Sequence, residues 1–345
     1  MKSECAAHTG EIASHIGEAV SRFINTQPEQ DMCMQETHAL FFVRDGDKPV
    51  YILVMEGLTG SGAEQIIQGN LCRSQLEGLI LVYKERVDRN RFYQNLLLDN
   101  FLPVDVYNQA KKLKVVVEQR RVVYIIEPKK ENDNIVLETV KGLYVTGTGD
   151  FVTAIDIGHI IMVKAVEVTE GYEVLAQIAM GLVDTIGAEA MVKVRVAYSE
   201  IVGELIELPK AYQEAQVALD VGRVFYEERS IFAYKELGIG RLLHQLPKSL
   251  CKMFLEEVFS GDAGDRFDEE TMHIVDKFFE YNLNISETAR QLYLHRNTLM
   301  YRLEKIQKQT GLDIRTFDDA VTFKIAIMVS KHIKYTTDME DGKYD

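Results

Sequence analysis

The run Asn284-Ile-Ser-Glu-Thr-Ala-Arg-Gln-Leu-Tyr-Leu-His-Arg-Asn-Thr-Leu-Met-Tyr-Arg-Leu-Glu-Lys-Ile-Gln307 leaves little choice of local structure. It reads as two short helices joined by a tight turn. Asn284 offers a side-chain acceptor to the orphan amides of a helix start, and Glu287 sits three residues on, the spacing of a capping box. Ala289 is small where a second helix must come close. Tyr293 and Leu294 fill the turn. The second helix is predicted from about His295 to Gln309, with Gly311 as its stop signal. Leu299, Leu303 and Ile306 fall at i, i+4 and i+7 and form one buried stripe. With that stripe inward, Asn297, Tyr301, Lys305 and Lys308 face outward, flanked by Arg296 and Arg302.

Those outward side chains suit DNA. Arg and Asn make bidentate contacts to guanine and adenine edges, so Arg296 and Asn297, with Tyr301 beside them, are the candidates for base readout. Thr298, Arg302, Lys305 and Lys308 are the candidates for phosphate contacts, which position a helix without reading sequence. The helix N-terminus adds backbone amides and a favourable dipole. The same spacing also fits an ordinary surface helical hairpin with solvated charges.

The stretch Ser286–Ile306, with its run His295-Arg-Asn-Thr-Leu-Met-Tyr-Arg-Leu303, followed by Thr310-Gly-Leu-Asp313, resembles the C-terminal domain of PucR/CdaR-type bacterial transcription regulators. These include regulators of purine catabolism and of sugar-diacid use. The resemblance implies a Fis-like helix-turn-helix, a double-stranded DNA operator as partner, and a bacterial source. Met300 stands at the variable position of the run.

The net charge of −14 over 345 residues opposes non-specific DNA binding, but the local patch is what counts. Between Ser286 and Arg315, six cations (Arg290, Arg296, Arg302, Lys305, Lys308, Arg315) face three anions (Glu287, Glu304, Asp313). A homodimer would double the contacts. Cys5, Cys33, Cys72 and Cys251 are far apart and lack metal-ligand spacing, which reads as reduced thiols in the cytoplasm. No apolar run approaches the roughly 18 residues that span a bilayer, and Met1–Cys5 lacks a signal peptide's apolar core.

The chain divides on pattern into a small α/β sensor-like module (1–62), a connecting long helix (63–100), an α/β domain (101–262), the helix-turn-helix domain (265–335) and a polar tail (336–345). In the first module Glu11–Ile24 has helical spacing. Ala39–Arg44 and Val50–Met55 read as strands around an Asp45-Gly46 hairpin turn, an arrangement suggesting PAS or GAF character. Gly57-Leu-Thr-Gly-Ser-Gly62 has the layout of a phosphate loop without its Lys-Ser/Thr pair, so it reads as a flexible connection, with an anion site as the alternative. In the long helix, Cys72, Leu76, Leu79 and Tyr83 fit a short coiled-coil seam interrupted by Gly69 and Gly78, either joining two subunits or packing on the sensor.

From Phe101 to Leu246 strands and helices alternate around one hairpin, which predicts an α/β sandwich of ferredoxin-like or cyclase type. Pro209–Leu219 and Phe232–Leu243 are similar to the degenerate GGDEF-like domain of the same regulators. A working GGDEF cyclase needs a Gly-Gly-acid-acid turn; here the turn reads Asp156-Ile-Gly-His159, with one carboxylate and one glycine. Asp156 and His159 are therefore expected to be turn residues rather than catalysts. No catalytic residue, metal ligand or cofactor is assigned. The alternatives are a nucleotide-binding or nucleotide-cyclising signalling enzyme, or a protein-binding scaffold. The last helix, starting at Thr316-Phe-Asp-Asp319 and running to about Lys334, is apolar nearly all round, so it is either a core helix or a shared dimer interface. The small-molecule effector that a regulator of this kind would sense is left unidentified.

Overall fold

The chain divides into two compact units, Met1–Tyr93 and Gln94–Asp345. The computed structural model describes residues 16–26, 32–34, 38–56, 62–129, 133–144, 149–156, 158–259 and 267–340. No helix among them is long and apolar enough to cross a membrane.

The first unit opens with α1 (Ile16–Thr26), then β1 (Met32–Met34), β2 (His38–Asp45) and β3 (Lys48–Glu56). The strands form an antiparallel sheet in the order β1-β2-β3. The Asp45-Gly46 signal makes the expected hairpin: Gly46 takes a φ of +58°, which only a residue without a Cβ adopts freely, and Asp45 pairs with Lys48. As the middle strand, β2 buries Ala39 through Val43 on both faces, which is why its sequence is continuously apolar rather than alternating. Phe42 stacks on Phe23 of α1 with ring centroids 4.3 Å apart. β1 is too short to show a period. Of the predicted first helix, residues 11–15 lie outside the described residues, as do residues 57–61 of the glycine loop.

Helix α2 (Gly62–Leu97) follows, and the boundary between the units falls in its last turns. Gly69, which interrupts the apolar seam, has a packing reason: a Cβ there would overlap the Phe41 ring. Cys72 is half-buried, whereas Leu79 is 65% and Tyr83 70% exposed, and Ile67, Leu71, Leu81 and Val82 are exposed with them.

The second unit continues with α3 (Pro103–Lys112), β4 (Glu118–Pro128), α4 (Asp133–Tyr144), β5 (Phe151–Asp156), β6 (His159–Ala165) and α5 (Tyr172–Glu189). Then come β7 (Val194–Tyr198), β8 (Val202–Glu204), α6 (Leu208–Phe225), β9 (Ile231–Ala233), α7 (Ile239–His244) and α8 (Lys248–Phe259). The sheet order is β5-β6-β4-β7-β9, with β8 also on β4; β7 and β9 run parallel and the other pairs antiparallel. Val122, Tyr124 and Ile126 of β4 join Val136 and Val140 of α4 and Leu175, Ala179, Leu182 and Ile186 of α5 in one core. The intervening Val123 and Ile125 are equally buried, with α6 packed against β4 and β7. Gly222 lets α6 settle on β9, since a Cβ there would lie 2.5 Å from the Phe232 ring. The expected α/β sandwich is the observed one.

Four helices complete the unit: α9 (Glu269–Glu280), α10 (Ile285–Gln291), α11 (Arg296–Thr310) and α12 (Phe317–Glu340). Ile274, Val275, Phe278, Ala289, Leu299, Leu303, Ile306, Phe323 and Ala326 form their core, joined by Phe259 of α8. The polar segment at Gly261–Asp265 lies outside the described residues.

Helix α12 departs from expectation at its end. It runs on to Glu340, so residues 336–340 are helical rather than a loose polar tail; residues 341–345 lie outside the described residues. The threonines support this extension: Thr336 donates to the His332 carbonyl at 3.0 Å and Thr337 to the Ile333 carbonyl at 2.8 Å. Most of its apolar surface is covered within the chain, with Phe317 and Val321 left exposed. Phe323 and Ala326 face the helical core, while Val329, Ile325, Met328 and Ile333 pack with Leu243 and Cys251 of α7 and α8. The core-helix reading thus accounts for this helix without a dimer interface.

Candidate nucleic-acid interface

The entry to α10 is fixed by Asn284, whose Oδ1 accepts from the Ser286 and Glu287 amides at 3.1 Å each. The capping box is half made. Glu287 is held instead by Arg290 at 2.6 Å and Gln291 at 2.8 Å, and these two donors lower its carboxyl pKa. Ala289 is buried where α11 crosses, and the Thr288 hydroxyl donates to the Asn284 carbonyl at 2.8 Å. Tyr293 makes the turn with φ +54°. Leu292 and Leu294 pack onto the core beside it, but the Tyr293 side chain points outward and is 97% exposed.

His295 caps α11: its Nδ1 accepts from the Asn297 amide at 3.3 Å. Spacing alone did not identify this role, because the usual caps are Ser, Thr, Asp and Asn. Gly311 closes the helix with φ +80°. Leu299, Leu303 and Ile306 are buried as the stripe requires; Asn297, Thr298, Tyr301, Lys305 and Lys308 are exposed on the opposite side, and Arg296 is exposed at the helix start.

The cations of this region divide into two sets. Arg290 pairs with Glu287, and Arg315 with Asp313 at 2.6 Å. Arg302 is half-buried, and its Nη2 donates to both carboxylate oxygens of Glu270 of α9, at 2.9 and 3.0 Å. Arg296, Lys305 and Lys308 make no ion pair among the described residues. Glu270 has no local spacing that relates it to Arg302, from which it is separated by 32 residues. At the start of α9, Asp268 accepts from the Thr271 amide at 2.7 Å. The Thr271 hydrogen bonds, and more weakly Arg302 and Lys305, hold its carboxyl below the usual range.

The degenerate turn forms a separate polar cluster. Gly158 sits at φ +129°, and the His159 Nδ1 lies 2.8 Å from Asp156 Oδ1; Ile157 is outside the described residues. The His159 Nε2 accepts from Arg223 of α6 at 3.0 Å. The same Arg223 nitrogen donates to Glu127 at the end of β4, and Arg195 reaches the other Glu127 oxygen at 3.4 Å. No group of three or more His, Cys, Asp or Glu side chains that could hold a metal ion occurs among the described residues.

Residues 271–329 match the family model of the PucR C-terminal helix-turn-helix domain, and residues 99–221 that of the GGDEF-like domain. The chain is 23% identical over 322 residues to the purine catabolism regulatory protein of Bacillus subtilis (strain 168), covering 87% of this chain and 60% of that protein. It is 26% identical over 124 residues to the carbohydrate diacid regulator of Escherichia coli (strain K12), covering 36% of this chain and 32% of that one. It thus spans less than two thirds of each of these relatives. Among solved structures, a regulator of polyketide synthase expression from Bifidobacterium adolescentis aligns over 71% of this chain and 98% of that chain, with a TM-score of 0.33 at 16% identity. Residues 99–221 are thus a GGDEF-like domain and residues 271–329 a PucR C-terminal helix-turn-helix domain, the domain pair to which the PucR/CdaR resemblance pointed.

Proposed function

We propose that the chain is an effector-responsive, DNA-binding transcription regulator that acts in the cytoplasm as a homodimer. The observation that carries this reading is α11: a buried Leu299–Leu303–Ile306 stripe holds it in place, while Arg296, Lys305 and Lys308 stand exposed beside Asn297 and without ion pairs among the described residues. On this reading Arg296, Asn297 and Tyr301 meet base edges, and Thr298, Lys305, Lys308 and Arg302 meet phosphates, Arg302 by exchanging Glu270 for the backbone. The printed names of the relatives, a purine catabolism regulatory protein and a carbohydrate diacid regulator, support a regulatory role. A dimer is supported by the exposed apolar side of α2 and by the half-site symmetry that such domains use.

Catalysis is not part of this reading. Near the degenerate turn the Glu127 carboxylate is already paired with Arg223 and Arg195, and Asp156 is engaged by the His159 ring. The effector is a small molecule of unassigned class. Selection of genomic DNA fragments with the purified protein tests the central claim: enrichment of a partly palindromic sequence is expected, and recovery of no enriched sequence refutes it. Incubation with GTP and magnesium tests the other half, and any cyclised nucleotide product would overturn it.

A further inference from the structure

Helix α12 serves two domains. Its first half lies in the helix-turn-helix core through Phe323 and Ala326. Beyond Ile327 it leaves that core and lies along α6, in which the GGDEF-like match ends, and along α7 and α8. Val329 and His332 are buried there, and the His332 ring meets His244 of α7 edge-on, with centroids 5.5 Å apart.

The polar centre of this seam is Arg223. One of its terminal nitrogens donates to Glu127 and to His159, and the other donates to the Tyr335 hydroxyl of α12 at 3.5 Å and pairs with Asp220 at 3.4 Å. A guanidinium has no acceptor, so the His159 Nε2 facing it must accept. The ring proton then sits on Nδ1, directed at Asp156. The degenerate turn, the end of β4 and α6 therefore converge on one permanent cation, and that cation reaches α12. Burial opposes charge on Arg223, but the Glu127 carboxylate outweighs it and holds the group firmly protonated.

We propose that the degenerate turn works as an intramolecular clamp: Asp156, His159 and Glu127 fix Arg223, and Arg223 grips Tyr335 and so sets the position of the DNA-binding domain on its carrier. Arg223 and Tyr335 are positioning residues in this arrangement. A rigid helix that crosses both cores transmits a shift at either end to the other, and a dimer reading two half-sites needs that position fixed. The clamp does not depend on the DNA-binding reading, because it acts in the free protein.

Amide hydrogen exchange on the full chain tests it. Tyr335→Phe removes only the hydroxyl and should speed exchange of 329–338 about tenfold, as expected for loss of one hydrogen bond to a charged donor. Exchange in α10 and α11 should stay unchanged. Arg223→Gln should act on the same segment, and Arg223→Gln combined with Tyr335→Phe should exchange no faster than Arg223→Gln alone, since both remove one interaction. Unchanged exchange of 329–338 in Tyr335→Phe overturns the proposal. So does an equal rise throughout α9 to α12, which would mean general loosening, or protection of the turn by added GTP and magnesium, which would mean a nucleotide site.

Discussion

Replacing Glu270 by Gln should tighten operator binding, and the size of the effect follows from how Arg302 is held. The Glu270 side chain is 66% exposed and that of Arg302 25%, so water screens the pair. Exposed ion pairs contribute about 0–1 kcal/mol, and the half-buried position of Arg302, whose Nη2 meets both Glu270 oxygens at 2.9 and 3.0 Å, favours the upper half of that range. To reach a phosphate, Arg302 must give up this pair. Removing the carboxylate removes that cost, so Glu270→Gln should raise affinity about two- to fivefold per half-site. Loss of a negative charge near DNA also helps by itself, over a Debye length of about 8–10 Å. The two effects are separated by repeating the change in an Arg302→Ala background, in fluorescence anisotropy titrations at matched salt. Only the general charge effect survives there. If the gain is the same with and without Arg302, the inferred exchange of partners is wrong and Arg302 is a structural brace between α9 and α11.

Other changes probe other parts of the site. Asn297→Ala should cost about 1–3 kcal/mol on the preferred operator and relax one base position, whereas Lys308→Ala should weaken all DNAs alike and reduce the salt slope by about one contact; competition binding on operator variants distinguishes them. Leu303→Ala, at a residue 1% exposed, should destabilise the helical domain by about 2–5 kcal/mol in urea melts, and a loss below 1 kcal/mol would mean the stripe is misplaced. Burial, with the neighbouring His244, lowers the His332 pKa, while a Leu246 backbone contact opposes the shift and Asp220 lies nearby as the acidic group facing His244. The folded seam therefore holds His332 neutral. Its stabilisation is present above the unfolded value of about 6.5 and is lost as pH falls through the lower folded value, so melting temperature should drop from pH 7.5 to 5.5 and the slope should flatten in His332→Gln.

The parts legible in the sequence are those with a local cause. The Leu299–Leu303–Ile306 stripe, the Asn284 cap, the Gly311 stop, the Asp45-Gly46 hairpin and the apolar run of β4 each depend on residues close in the chain. What escaped depends on distance. Arg302 and Glu270 are 32 residues apart, Arg223 and Glu127 96, and Arg223 and Tyr335 112, so no periodicity relates them. The three-residue strands β1, β8 and β9 are too short to carry a period and exist because a neighbouring strand supplies their hydrogen bonds. For α12 the pattern announced burial on most sides without naming the surface that provides it. The degenerate turn shows the limit most plainly: the missing acid and glycine argued against a cyclase, but the cation that unites Asp156, His159 and Glu127 comes from another helix.

The division of cations also bears on copy number. An acidic chain gains little from non-specific attraction, so its affinity must come from the few positive groups that are not already neutralised. On α11 the cations assigned to phosphates are Lys305, Lys308 and, once it gives up Glu270, Arg302. Three phosphate contacts would give a salt slope of about −2.7 and a loss of only about 40-fold between 50 and 200 mM salt. Two copies on one operator would double the slope to about −5.4 and the loss to about 2,000-fold. A measured slope of about −5.4 would thus support two copies on one operator, and a slope of about −2.7 a single copy.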